Sequence, residues 1–256
     1  MTRQAETTQT RPHSIGRTLL IALAAAGVWG TSACVPEPAP QETAADQKRA
    51  VEIGVDADSA EQRVLGEIYQ QVLIAIGRDS HVTAIDLGED DSALDALRTA
   101  GVEFAITCTG SLLAQLDPAA ARQLERAFAD VESIAASTEA SEDTYDATVG
   151  ALPGTVMTVD PSPAQGCAAF AADDAVLPEN IIPVFTKTTF SRSEVQRINF
   201  ITRVLSTEDV AEMAQEAESG EPLDVVVADW LLEYASIDPN VSVDGDAEVT
   251  QEQPPV

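Results

Sequence analysis

An α/β domain, with a parallel-rich sheet flanked by helices, is the fold class this sequence predicts, and three observations predict it. Apolar residues alternate at Val51, Ile53 and Val55, and again from His81 to Leu87, which is the period of a half-buried strand. Between those runs Val64, Leu65, Ile68, Tyr69, Val72, Leu73 and Ile76 recur at helical spacing. The order strand, helix, strand, helix, strand, continued through Thr107, implies parallel strands joined by right-handed crossovers.

The elements follow in order. Residues 51–55 form the first strand. Ser59 caps the first helix with Gln62 as its capping-box partner, and Gly77 ends it. His81 to Leu87 is the second strand. Ser92 caps a short helix carrying Leu94 and Leu97, which stops at Gly101, and Val102 to Thr107 is the third strand. Residues 112–136 are Ala-rich and read as helical, and 137–144 read as a polar loop. Val156–Val159 and Ile181–Phe185 are further strands, separated by the turn-rich Asp160-Pro161-Ser162-Pro163. Three helices close the fold: one capped by Ser191 with Glu194, one by Ser206 with Asp209, and one from about Leu223 to Tyr234. Tyr69 and Trp230 read as core residues of their helices.

The amino terminus has the form of an export signal. Arg3, Arg11 and Arg17 precede a short apolar run, Leu19 to Val28, and the small residues Gly30-Thr31-Ser32-Ala33 lead to Cys34. The run is well short of the roughly 20 residues of a spanning helix. A cysteine directly after small residues resembles the lipobox of bacterial lipoproteins, although Thr31 stands where that pattern prefers Leu. Lipid attachment at Cys34 and an ordinary secretory signal with a chance cysteine are the two readings. Under the first, 1–33 is the signal peptide and Cys34 the anchor on the outer face of the cytoplasmic membrane. Residues 34–50 are then a Pro-rich tether. Residues 237–256 are an acidic tail expected to be disordered.

Charge excludes one class of partner. Without Arg3, Arg11, Arg17 and Glu6 the chain keeps 11 basic and 42 acidic residues, a net charge of −31. A surface this acidic repels phosphate backbones, so no nucleic-acid partner is expected. Once Cys34 is set aside, Cys108 and Cys167 remain as an even pair in an oxidising compartment. A disulfide and two buried thiols are both open to them.

Catalytic signatures are absent. His13 and His81 are the only histidines, and His81 opens a strand as a surface residue. There is no phosphate-cradling Gly-rich loop and no His-Glu-x-x-His, and Cys108 has no base near it in sequence. Asp56 with Asp58, and Glu89-Asp90-Asp91, lack EF-hand spacing and read as solvated loop carboxylates. No enzyme activity, catalytic residue, metal site or cofactor is expected.

Several segments, in order, resemble the substrate-binding proteins of glycine betaine/choline/carnitine (osmoprotectant) ABC importers. Ile53-Gly54, followed by Ser59-Ala60-Glu61-Gln62-Arg63-Val64-Leu65-Gly66, is similar to the family's Gly-Ser-Lys-x-Phe-Thr-Glu-Gln-x-Ile-Leu-Gly. Thr109-Gly110-Ser111 stands where the family has Tyr-Thr-Gly-Thr, and Asp160-Pro161-Ser162-Pro163-Ala164 resembles its Asp-Pro-Ala-Pro-Ala. Leu205 to Met213 and Val226 to Leu231 match two late helices. The resemblance implies a type II periplasmic-binding-protein-like fold that closes on a small osmolyte and delivers it to an ABC permease. It assigns 51–111 and 178–236 to a first lobe and 112–177 to a reduced second lobe.

The same resemblance implies a site. Its cage tyrosines fall near Cys108, Cys167 and Glu179, and none of these is aromatic, although a cage is what holds a quaternary ammonium. Glu61, Gln62, Thr109 and Ser111 remain as polar candidates, with Glu179 as a carboxylate for a cation. They lie in the crevice at strand carboxyl ends. Glu61 and Gln62 read equally well as helix caps, and Thr109 with Gly110 as a turn. Two functions follow: an importer's solute-binding lipoprotein, or a relative without ligand that acts as an envelope interaction or regulatory lipoprotein.

Overall fold

The structure, a computed structural model, describes residues 49–85, 93–99, 101–131, 133–167 and 177–239 of the 256-residue chain. The signal segment, Cys34, the tether up to Lys48, Ser92, the run Glu89-Asp90-Asp91 and the acidic end beyond 239 lie outside the described residues.

Five strands make one sheet in the order β2-β1-β3-β5-β4. They are β1 Val51–Asp56, β2 Ser80–Ile85, β3 Phe104–Cys108, β4 Val156–Thr158 and β5 Ile181–Thr186. β1 pairs in parallel with β2 and β3, whereas β5 is antiparallel to both β3 and β4. Four strands thus run one way and β5 alone runs back, so the expected parallel-rich sheet is a mixed one. The reason is local: the chain reaches β5 at the carboxyl end of β3, where Ile181 pairs with Cys108, so no crossover is required. β4, in the stretch 112–177, is the edge strand of this same sheet.

Eight helices accompany the strands among the described residues: α1 Ala60–Ala75, α2 Ala93–Thr99, α3 Thr109–Leu116, α4 Pro118–Ala127, α5 Thr138–Ala151, α6 Arg192–Val204, α7 Thr207–Ser219 and α8 Leu223–Ala235. Ser191 and Glu194 form a reciprocal capping box at α6. At α1 the box is half made: Ser59 accepts from Gln62 N, but the Gln62 side chain does not reach back. The Ala-rich stretch divides at Asp117-Pro118, because Asp117 accepts from Ala119 N and Ala120 N and starts a new helix with Pro at its first position.

Residues 137–144, expected as a loop, instead begin α5. Ser137 accepts from Ala140 N, and Ala140, Thr144 and Thr148 present one buried face at i, i+4 spacing. The Thr148 hydroxyl donates to Thr109 O (3.0 Å) and Thr144 O (2.7 Å). Only the Thr148 hydroxyl is satisfied indoors; Glu139, Glu142 and Asp143 stay on the exposed face, so a polar composition here accompanies a one-sided helix rather than a loop.

The sheet separates two cores by its period of two. Phe104, Ile106, Ile181 and Phe185 face the larger core with α1, α6, α7 and α8, whereas Ala105, Ile182 and Val184 face α2 and α3. Phe104 stands at the centre, 4.9 Å from the Tyr69 ring and 5.9 Å from those of Phe185 and Phe190. Burying each such ring contributes about 1.5–3 kcal/mol. Gly66 lets α1 lie close on the sheet, since a Cβ there would come 2.5 Å from Val55 Cγ1. The result is a rigid layer that ends, at the carboxyl edges of β1 and β3, under a set of loops.

Candidate functional site

Those loops are tied together by one disulfide and two carboxylates. Cys108 is the last residue of β3 and the N-cap residue of α3, and it is joined to Cys167. Cys167 sits at φ 61°, in the left-handed region, and its N–H donates to Glu61 Oε1 at 2.8 Å. Ser59 already satisfies the first turn of α1, so the Glu61 side chain is left for this tertiary contact. Gly166 permits it, because a Cβ there would overlap Glu61 Oε1.

Glu179 does for α3 what its N-cap residue cannot. The Cys108 side chain, held in the disulfide, makes no capping bond. The Glu179 carboxylate accepts from Ser111 N (3.0 Å) and from the Ser111 hydroxyl (2.8 Å), at a helix end where negative charge is favoured. The Thr109 hydroxyl is spent on structure: it donates to Pro178 O at 2.9 Å and accepts from Asn180 N at 3.2 Å. Gln165 closes the ring, its Oε1 accepting from Glu179 N at 2.7 Å, while Thr207 Oγ1 accepts from Gln165 N at 2.9 Å.

A cavity of about 380 Å³ opens between these loops and α7. Glu61, Gln165 and Glu179 give it polar atoms, while Leu177, Val210 and Ala214 are among its apolar walls. No described lining residue is basic and none is aromatic. Burial raises the carboxyl of Glu61 above its ordinary value, against the opposing pull of the Cys167 N–H. Burial raises Glu179 as well, against the pull of Ser111 and Gly110. Two acids whose ionisation burial disfavours, with no basic partner among the described residues, make a site whose electrostatics a cation would complete.

The candidates from the sequence therefore divide. Glu61 and Glu179 line the cavity; Ser111 and Cys167 hold them in place. The three positions near which the resemblance implies cage tyrosines, Cys108, Cys167 and Glu179, come together at the α3 start, as a disulfide and a carboxylate. Gln62 is 2% exposed, does not line the cavity, and neither Oε1 nor Nε2 has a partner. Asp56 accepts from Asp58 N and only shapes the turn after β1. Tyr69 and Trp230 are buried in the large core. Gln165 and Thr207 join the site without a sequence signal, since nothing in their local sequence marks a meeting 42 residues apart.

No protein-family model matches the sequence, and no curated protein matches it. Among solved structures, apo YehZ from Escherichia coli aligns with 72% of this chain and 98% of its own, at 13% identity and a TM-score of 0.49. A likeness at that level carries no conclusion about family or ligand.

Proposed function

We propose that this chain is an exported, lipid-anchored solute-binding protein whose ligand is a small organic cation of the quaternary ammonium class, handed to an ABC permease in the cytoplasmic membrane. The observation that carries the ligand class is the pairing of Glu61 and Glu179 on a cavity of about 380 Å³ with no basic side chain among its described lining residues. A volume of that order suits a small molecule. A quaternary ammonium has no N–H to donate, so carboxylates attract it by charge, and the Leu177, Val210 and Ala214 walls accept its methyl groups. Export, the anchor at Cys34 and the permease rest on the amino-terminal pattern and the family resemblance.

The site also ranks the ligands. Glycine betaine and carnitine carry a carboxylate, and no described lining residue is basic to receive it. Choline carries none. Choline is therefore expected to bind more tightly than glycine betaine.

One observation favours the second reading, a scaffold without solute that serves as an envelope interaction or regulatory lipoprotein. Both carboxylates already accept backbone N–H groups of the protein itself. Thermal unfolding against choline, glycine betaine, carnitine, proline betaine and proline separates the two. A ligand at a hundredfold excess over Kd adds about 2.7 kcal/mol to the folded state. A shift with choline that disappears in Glu61→Gln supports the solute reading. A cooperative melt with no shift across the panel replaces it with the scaffold.

A further inference from the structure

A second cavity, of about 390 Å³, lies at the opposite end of the sheet from Glu61 and Glu179. Val51 pairs with Ser80, Ile53 with Phe104, and Phe104 with Phe185, so the amino-terminal ends of β1, β2 and β3 meet the carboxyl end of β5 there. Arg49 lies before β1, Arg78 before β2 and Glu103 before β3, while Thr188 and Thr189 follow β5, and all five line the cavity. Two guanidinium groups and one carboxylate line it, in a chain of net charge −29, and Glu194 brings a second carboxylate to 3.8 Å from Arg78 Nη1. Lys187 adjoins Thr188, and Arg192 opens α6 close by in sequence. A chain poor in bases has therefore placed two of them, Arg49 and Arg78, on one cavity at this end of its sheet.

We propose that this cavity binds a phosphate-class oxyanion, with Arg78 and Arg49 supplying positive charge and the Thr188 and Thr189 hydroxyls supplying donors. Arg78 is the fixed half: its side chain is 8% exposed, Nη2 donates to Thr189 O at 3.1 Å, and Nη1 lies 3.8 Å from Glu194 Oε1. Arg49 is the adjustable half, 81% exposed and 3.4 Å from Glu103 Oε1. That contact is long beside the roughly 2.7–2.9 Å of a strong charge-assisted bond. The other Glu103 oxygen is held by Glu52 N at 3.0 Å, so Glu103 stays in place when Arg49 turns to an incoming anion. The planar, forked guanidinium suits phosphate oxygens better than a point charge does.

The negative charge of the whole chain does not forbid this. Exposed charges beyond about 8 Å are largely screened at physiological salt, so the distant carboxylates of the chain weigh little here; the near ones, Glu103 at 3.4 Å from Arg49 and Glu194 at 3.8 Å from Arg78, hold their guanidinium groups through contacts long enough to yield to an incoming anion. The volume exceeds that of bare phosphate and leaves room for a glycerol-sized substituent. A soluble phosphate ester and the headgroup of an anionic phospholipid share this chemistry. The site is independent of the cation reading, because Glu61→Gln changes nothing at this end of the sheet.

The test uses the full chain in a nonionic detergent, titrated with glycerol 3-phosphate and followed by the amide resonances of Ala50, Val51, Thr188 and Thr189. A second arm measures co-sedimentation with phosphatidylglycerol vesicles against phosphatidylcholine vesicles. Each arm is repeated with Arg49→Gln, whose exposed side chain can be changed without unfolding, and with Arg98→Gln on α2 as a control for bulk charge. Saturable shifts with glycerol 3-phosphate, weakened about tenfold in Arg49→Gln alone, support the site for a soluble ester. Selective sedimentation with phosphatidylglycerol, lost in Arg49→Gln and kept in Arg98→Gln, supports it for a lipid headgroup. No response in either arm, or an equal response in both variants, overturns the proposal.

Discussion

Removing the Cys108–Cys167 disulfide by a Cys108→Ala/Cys167→Ala double substitution is expected to destabilise the fold by about 4 kcal/mol, the chain-entropy value for a loop closed over 59 residues. Alanine is chosen because Cys108 is fully buried and a serine hydroxyl would add an unsatisfied polar atom. For a domain of this size each kcal/mol moves the midpoint of thermal unfolding by about 2–4 °C, so a fall of roughly 8–16 °C is expected. Urea unfolding followed by far-ultraviolet circular dichroism measures the free energy directly, and wild type with reductant should coincide with the double variant. The effect should concentrate at the site, since Cys167 then holds its left-handed φ of 61° with only the Glu61 bond to restrain it. A loss under about 1 kcal/mol with an unchanged denaturant slope would refute the reasoning, because it would mean that the unfolded chain gains nothing from the freed loop.

Four further outcomes are expected. Glu61→Gln keeps an acceptor for Cys167 N and removes an ionisation that burial disfavours. The raised carboxyl of Glu61 contributes stability fully below its ordinary value of 4.5 and loses it as pH rises through the higher folded value, so the variant should gain on wild type from acid to neutral pH; the opposite trend in urea midpoints would contradict the shift. Gly166→Ala drives a Cβ into Glu61 Oε1 and to 2.9 Å from Ile181 Cδ1, a cost of about 1–3 kcal/mol. A double-mutant cycle with Glu61→Ala should show coupling, and additivity would break the proposed contact. Tyr69→Phe removes a buried hydroxyl bonded to Thr202 at 2.8 Å; Thr202 keeps its bond to Ile198 O, which limits the loss to about 1 kcal/mol by chemical denaturation. Cys34→Ala should leave the chain soluble or uncleaved on fractionation, and a membrane-bound chain of mature size would rule out the anchor.

Much of the frame was legible in sequence because it rests on short-range physics. Period-two alternation at Val51, Ile53 and Val55, helical spacing through α1, and the Ser191–Glu194 box act within a few residues and need no knowledge of the rest of the chain. The first three strands are parallel for the same reason: helices separate them, and a helical crossover brings the chain back to run the same way.

Where the sequence misled, a local rule met a distant partner. Ser137 to Thr144 has the composition of a loop, yet it begins a helix: Ser137 caps it, and Ala140, Thr144 and Thr148 bury one face, with Thr148 bonded to Thr109 O across the fold. β5 has strand character in any direction, and only the arrival of 177–180 at the end of β3 reverses it. Glu61 and Gln62 stood as equal alternatives between cap and ligand contact. Tertiary structure turned Glu61 toward Cys167 and the cavity, and buried Gln62 with its amide unpartnered.

By itself, then, the sequence determined an α/β layer, its helix starts, and the set of carboxylates and cysteines available at the carboxyl ends of the strands. Tertiary structure alone decided that Glu61 and Glu179, 118 positions apart, would line one cavity with no basic side chain among its described lining residues, and that Arg49 and Arg78 would share another with Thr188 at the opposite end. The physical reason is range: propensity and capping act over a turn of helix, whereas burial of a charge and the company it keeps depend on every segment that packs around it.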